Sequence, residues 1–136
     1  MRCLIVEDDF AARRLMTRHL ADYGECDVAV DGNEAIEAFR ESLDQNEYYD
    51  LICLDIMMPG MDGRQALRAI RRIEGEHNID GLDGVKVIMT TALGDSENIM
   101  GSFREGCEAY IVKPVRRNKL VKELKKLGFA EPQISK

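Results

Sequence analysis

Four stretches of this chain end in side chains that can handle a charged, oxygen-rich group. Glu7, Asp8 and Asp9 follow the apolar run Cys3-Leu4-Ile5-Val6, and Asp55 follows Leu51-Ile52-Cys53-Leu54. Thr90 and Thr91 close a third run that begins at Val85, and Lys113-Pro114 closes a fourth, Ala109 to Val112. Carboxylates brought together repel one another, and one of them keeps its proton unless a cation is shared. Mg²⁺ suits such a set, because it takes oxygen ligands octahedrally and keeps several waters, so each acid can bind directly or through water. A metal held there can orient and neutralise a phosphoryl oxygen. A threonine hydroxyl can hydrogen-bond the same group, and a lysine can pair with it as a point charge. Taken singly, each residue has a plainer reading: acids in solvated turns, a threonine as a β-former, a lysine on the surface. The pattern points to a site because acids, hydroxyls and an ammonium each close a separate apolar run.

These ends converge only if the runs are neighbouring strands. Cys3–Val6 and Leu51–Leu54 are continuously apolar, as strands buried on both faces must be. Asp27–Val30, Val85–Thr90 and Ala109–Val112 read as three more strands. Helical spacing fills the intervals. Phe10 to Tyr23 places Ala12, Met16, Leu20 and Tyr23 near one face, with Gly24 as its stop. After a turn at Asp31-Gly32, Asn33 is the expected cap of a helix whose stripe is Ala35, Ile36 and Phe39. Gln65–Ile73, Ser96–Glu105 and Asn118–Leu127 complete the set; Met57–Gly63 and Glu74–Gly84 read as loops, and Pro132 marks a loose end. Such alternation predicts an α/β domain, a flavodoxin-like doubly wound (βα)5 fold. Its parallel five-stranded sheet has order 2-1-3-4-5, with right-handed crossovers and helices on both faces. Strands 1 and 3 are then adjacent where the order reverses, the place where open α/β sheets bind ligands.

The composition narrows the function classes. Hydrophobic residues make up 45% of the chain, enough for a core, and the formal net charge is −6. That balance argues against disorder and against a nucleic-acid binder, which would carry a basic face. No stretch approaches the ~20 apolar residues of a membrane span, and Met1-Arg2-Cys3-Leu4 runs into acids rather than a signal peptide. The cysteines, Cys3, Cys26, Cys53 and Cys107, form no CxxC pair; free thiols in a reducing, cytoplasmic setting are expected, not a zinc site or a disulfide framework. His19 and His77, in a helix and a polar loop, offer no relay site.

Taken together the segments resemble the receiver domains of bacterial two-component response regulators. The matching stretches are Leu4-Ile5-Val6-Glu7-Asp8-Asp9, Leu54-Asp55-Ile56-Met57-Met58-Pro59-Gly60-Met61-Asp62-Gly63, Met89-Thr90-Thr91-Ala92 and Gly106 through Pro114, in family order. The resemblance implies that Asp55 is the phosphoacceptor. It implies that Asp8, Asp55 and the backbone carbonyl of Met57 bind Mg²⁺ directly and Glu7 through a water, with Mn²⁺ able to substitute. Glu7-Asp8-Asp9 offers two acid pairs; Glu7/Asp8 is taken because it follows Val6 directly, leaving Asp9 as a helix N-cap or exposed acid. Thr90-Thr91 offers two hydroxyls; Thr91 is taken as the phosphoryl-binding residue because it precedes Ala92, as in the family. Lys113 would pair with the phosphoryl group, Tyr110 would be the switch aromatic that turns inward with Thr91, and the bond to Pro114 would be cis.

On this resemblance residues 1–128 form the receiver domain and 129–136 a short tail. Glu74–Gly84 is longer than usual for the family, forming a surface loop or lengthening the third helix. With no linker, helix-turn-helix or catalytic module after the last helix, output is expected from the domain's own surface, unless the chain is the front of a longer regulator. The expected partners are a sensor histidine kinase or histidine phosphotransfer protein, and a target protein at the face of the fourth helix, fifth strand and fifth helix. No direct nucleic-acid contact or membrane insertion is expected. The role would be of chemotaxis or phosphorelay type, and the only catalysis would be of the domain's own phosphorylation and dephosphorylation. An aspartate-nucleophile phosphatase would need an acid two residues after Asp55, where Met57 stands; a flavin carrier would not place Glu7-Asp8-Asp9 where a phosphate must bind. Met57 and Leu93 occupy the family positions that orient the attacking water, and neither can do so well; slow intrinsic loss of the phosphoryl group is the expectation.

Overall fold

The computed structural model describes residues 1–92, 96–130 and 132. The strands are β1 (Arg2–Val6), β2 (Glu25–Ala29), β3 (Leu51–Asp55), β4 (Lys86–Thr91) and β5 (Ala109–Val112). The helices are α1 (Phe10–Leu20), α2 (Gly32–Asp44), α3 (Gly63–Glu76), α4 (Ser96–Arg104) and α5 (Arg117–Lys126). All strand pairs are parallel and the sheet order is β2-β1-β3-β4-β5. Ile5 lies beside Cys53 and Val6 beside Leu54, so β1 and β3 end at the same edge.

Alternation along the strands divides the core into two layers. Leu4, Val6, Ile52, Leu54, Val87 and Met89 point to one face, where Ala35 and Phe39 of α2 and Leu67 and Ile70 of α3 cover them. Cys3, Ile5, Leu51, Cys53 and Ile88 point to the other, against Met16 and Leu20 of α1 and Leu120 and Leu124 of α5. Each apolar stripe faces the sheet and leaves a polar face outside. None of the described helices is long and apolar enough to cross a membrane.

Several boundaries differ from the sequence reading. The α2 cap is Asp31, whose carboxylate accepts from Glu34 N at 2.8 Å; Asn33 lies inside the helix. α1 stops at Leu20, short of Tyr23. α3 starts at Gly63, two residues early, because Asp62 and Gln65 form a capping box. It runs on to Glu76, beyond Ile73, because Arg71 and Glu74 face inward. Glu74 accepts from Val85 N at 2.7 Å and from Arg71 at 2.8 Å, and Arg71 also donates to the carbonyls of Val85 and Gly106. The stretch after Glu76 is a loop, with Leu82 exposed. All the cysteines are free thiols. Cys26 is pushed up by its hydrogen bond with Cys3 and by burial, and burial pushes Cys107 up to about 12.

Candidate functional site

Parallel strands deliver their C-terminal residues to one edge, and the acids meet there. Each of Glu7, Asp8 and Asp55 offers a carboxylate oxygen within 4.8 Å of the other two. Glu7 and Asp55 are buried, and Asp8 is exposed at the mouth. Asp9, the alternative partner, is spent elsewhere: it is the α1 N-cap and accepts from Ala12 N at 2.8 Å. Its own N–H donates to Glu7 Oε2 at 3.1 Å, holding that carboxylate inward. Asp55 closes β3, and its Oδ1 accepts from Met57 N at 3.2 Å, so the chain after β3 curls around the carboxylate.

Lys113 reaches this cluster from the end of β5. Its Nζ donates to Glu7 Oε1 and lies 3.3 Å from Asp55 Oδ2. The Lys113–Pro114 bond is cis, and Lys113 N donates to the Thr91 carbonyl at 2.7 Å. The electrostatics follow from crowding. Burial and the neighbouring Glu7 push Asp55 up to about 7, and Lys113 opposes the rise only in part. Burial would lower the Lys113 ammonium, but the hydrogen bond to Glu7 and the charge of Asp55 hold it above its ordinary range. Three carboxylates and one ammonium leave an excess of negative charge beside solvent, and an oxygen-seeking divalent cation at the mouth would relieve it. The donor set therefore fits Mg²⁺.

The two threonines separate by strand alternation. Thr90 neighbours Asp55 in the ladder and lines a cleft of about 360 Å³ with Glu7, Leu15, Lys113 and Pro114. Thr91, fully buried, follows the side of Met89, and Met89 is the ladder neighbour of Tyr110. Thr91 and the partly buried Tyr110 thus share one face of the sheet, and Thr90 looks to the other. Met57 is exposed beside the site; Leu93 lies outside the described residues.

Two contributors escaped the sequence reading. Arg13 Nη1 donates to the Glu7 carbonyl at 2.9 Å and clamps the acid-bearing turn; its helical position gave no hint of that contact. Gly63 packs so closely on the backbone at Asp55 that a Cβ there would fall 2.8 Å from Ile56 Cα. Its N–H donates to the Ile56 carbonyl at 2.9 Å. A glycine opening a helix directly after the Asp62 cap was the available sign.

Known proteins resemble this chain in sequence and in fold. The family model for the response regulator receiver domain matches residues 3–125. Regulatory protein VanRB of Enterococcus faecalis is 34% identical over 93% of this chain and 52% of its own length. Transcriptional regulatory protein ResD of Bacillus subtilis is 36% identical over 98% of this chain and 50% of its own. The chain thus spans about half the length of these relatives, and only 14% of sensor protein GacS of Pseudomonas syringae, to which it is 36% identical. Among solved structures, the CheX–CheY–BeF3–Mg²⁺ complex of Borrelia burgdorferi superposes with a TM-score of 0.81 at 27% identity, covering 96% of this chain and 90% of that one. TrrA of Thermotoga maritima, in complex with Mg²⁺ and BeF, superposes with a TM-score of 0.74 at 31% identity, covering 93% and 97%. With the fold, the strand order and an acidic edge that suits Mg²⁺ all in agreement with these matches, the chain belongs to the response regulator receiver domain family, the phosphoaspartate signalling domains of two-component systems.

Proposed function

We propose that this domain is a phosphorylation switch whose phosphoacceptor is Asp55. One observation carries the reading: three carboxylates within 4.8 Å of one another at the sheet edge, with the Lys113 ammonium on two of them. Glu7, Asp8, Asp55 and the Met57 carbonyl would hold Mg²⁺, with Glu7 acting through a water; Mn²⁺ would serve in its place. When bound, the metal neutralises the carboxylates and the incoming phosphoryl oxygens. Deprotonated Asp55 supplies the oxygen that bonds to phosphorus. The donor's P–N bond breaks as that O–P bond forms, and the departing imidazole takes up a proton. Lys113 pairs with a phosphoryl oxygen and Thr91 donates to another. The donor is a histidine kinase or a histidine phosphotransfer protein. The apolar cleft between α1 and the segment after β5 is its route of approach, because it opens beside Glu7 and Lys113.

The switch follows from the shared face. A phosphoryl group that draws Thr91 toward it opens space on the side where Tyr110 sits, and Tyr110 turns inward. The target protein docks on α4, β5 and α5, where Met100, Phe103 and Val112 are exposed. Residues 1–128 act as the switching unit, and this domain makes its own contacts with proteins rather than with nucleic acid. The test is incubation with acetyl phosphate and Mg²⁺, read by intact mass and peptide mapping. One phosphoryl group on Asp55, lost in Asp55→Asn and slowed in Asp8→Ala, is expected. Phosphate mapped to another residue would refute the assignment.

A further inference from the structure

α3 turns three arginines, Arg64, Arg68 and Arg71, toward α4 and the segment after it. Arg64 forks onto Glu105, with Nε to Oε2 at 3.1 Å and Nη2 to Oε1 at 2.8 Å, and Arg68 adds a bond to the same Oε1 at 2.7 Å. The remaining Arg64 nitrogen, Nη1, donates to Asn98 Oδ1 at 3.3 Å. Asn98 lies in the first turn of α4, and Glu105 follows its last residue, Arg104. A single guanidinium therefore holds side chains from both ends of the helix. It rests against Gly101, where a Cβ would come within 2.6 Å of Arg64 Cζ. The pair is mostly sheltered, at 24% and 16% side-chain exposure for Arg64 and Glu105. Planar two-point pairing in such a place resists screening and fixes direction as well as distance. Burial works against the Glu105 charge, yet the bonds from Arg64 and Arg68 hold its carboxyl below the usual range.

Arg64 is also the direct neighbour of Gly63, whose backbone is packed on that of Asp55 and Ile56. The path from the acidic site to α4 is thus two adjacent residues long. Lys113 pairs with both Glu7 and Asp55, and a phosphoryl group on Asp55 would compete with Glu7 for that ammonium.

We infer that Arg64 is a positioning residue that latches α4 in the unphosphorylated arrangement and links it to Asp55 through Gly63, a coupling route separate from Thr91 and Tyr110. The inference rests on Asp55 being the phosphoacceptor. A contact present in one state and lost in the other biases the equilibrium by its own free energy. Removing it should therefore tighten whatever favours the phosphorylated form.

The experiment is a beryllofluoride titration at fixed Mg²⁺, followed by the amide resonances of α4 and the ring resonances of Tyr110. Arg64→Met should lower the half-saturating concentration by about five-fold or more. Gly101→Ala should act in the same direction, because its methyl displaces the guanidinium. Arg64→Lys, keeping one charge but not the fork, should fall between. The first two variants separate a latch from simple loosening: alanine favours the α4 helix over glycine, whereas Arg64→Met only removes contacts. A purely structural role would move them in opposite directions. Arg40→Met, which breaks an exposed 3.6 Å pair with Glu76, serves as the control and should match wild type. Wild-type half-saturation in Arg64→Met or in Gly101→Ala would overturn the latch. A wild-type protein that failed to take beryllofluoride on Asp55 would sink the phosphoacceptor reading as well.

Discussion

Asp55→Asn should stabilise the metal-free protein, and the gain should depend on pH. Asp55 is buried against Glu7, which lifts its carboxyl from an ordinary 3.8 to about 7 in the folded chain. Below about pH 4 the group is protonated in both folded and unfolded chains and costs nothing. Between about pH 4 and pH 7 the unfolded chain has lost the proton while the folded chain keeps it, so stability falls as pH rises. Above about pH 7 the whole cost is present. At 1.36 kcal/mol per tenfold change in proton affinity, the ceiling is about 4 kcal/mol. The mouth of the site is open at Asp8, and Lys113 loses a partner on substitution, so about 1–2 kcal/mol is the expected net gain. For a domain of this size that is a rise in Tm of roughly 4–8 °C at pH 8 in EDTA. The assay is thermal unfolding of wild type and Asp55→Asn from pH 4 to pH 8, with and without Mg²⁺. The difference should close toward pH 4. It should also close with Mg²⁺, which stabilises the wild type by binding its folded state. A variant no more stable than wild type at pH 8 in EDTA, or a gap that persists at pH 4, would show that Asp55 carries no such repulsion.

Gly63→Ala should cost roughly 1–3 kcal/mol in urea unfolding, since its methyl has no room against Ile56, and it should also slow labelling by acetyl phosphate. Ser102 Oγ is buried with no hydrogen-bond partner among the described residues. Ser102→Ala should therefore raise stability by about 1 kcal/mol, read as a higher urea midpoint at unchanged m. Met57→Asn combined with Leu93→Glu should shorten the phosphoaspartate lifetime by about one to two decades. The measurement is acid-labile phosphate remaining over time in Mg²⁺ without donor, and equal decay curves would show that these positions do not control it.

The sequence by itself determined the layers and the location of the chemistry. Cys3–Val6 and Leu51–Leu54 cannot be exposed on either face, and strands of that kind, separated by amphipathic helices, admit few sheets besides a parallel doubly wound one. Because parallel strands share a C-terminal edge, the sequence pattern alone brings Glu7, Asp8, Asp55 and Lys113 together. Tertiary structure decided what local pattern leaves open. Asp31 rather than Asn33 caps α2, since both residue types suit the role and only backbone geometry chooses. Asp9 withdrew to cap α1 and left Asp8 to the acidic cluster. Thr91 rather than Thr90 shares a face with Tyr110, a matter of strand register. Glu74 reads as a loop acid by composition, yet it is buried because Arg71 and the N–H of Val85 satisfy it from two sides. Arg64 meets Glu105 across 41 residues of sequence. Charge pairs of that separation leave no periodic trace, because the chain that brings them together is the sheet and not the helix on which either stands.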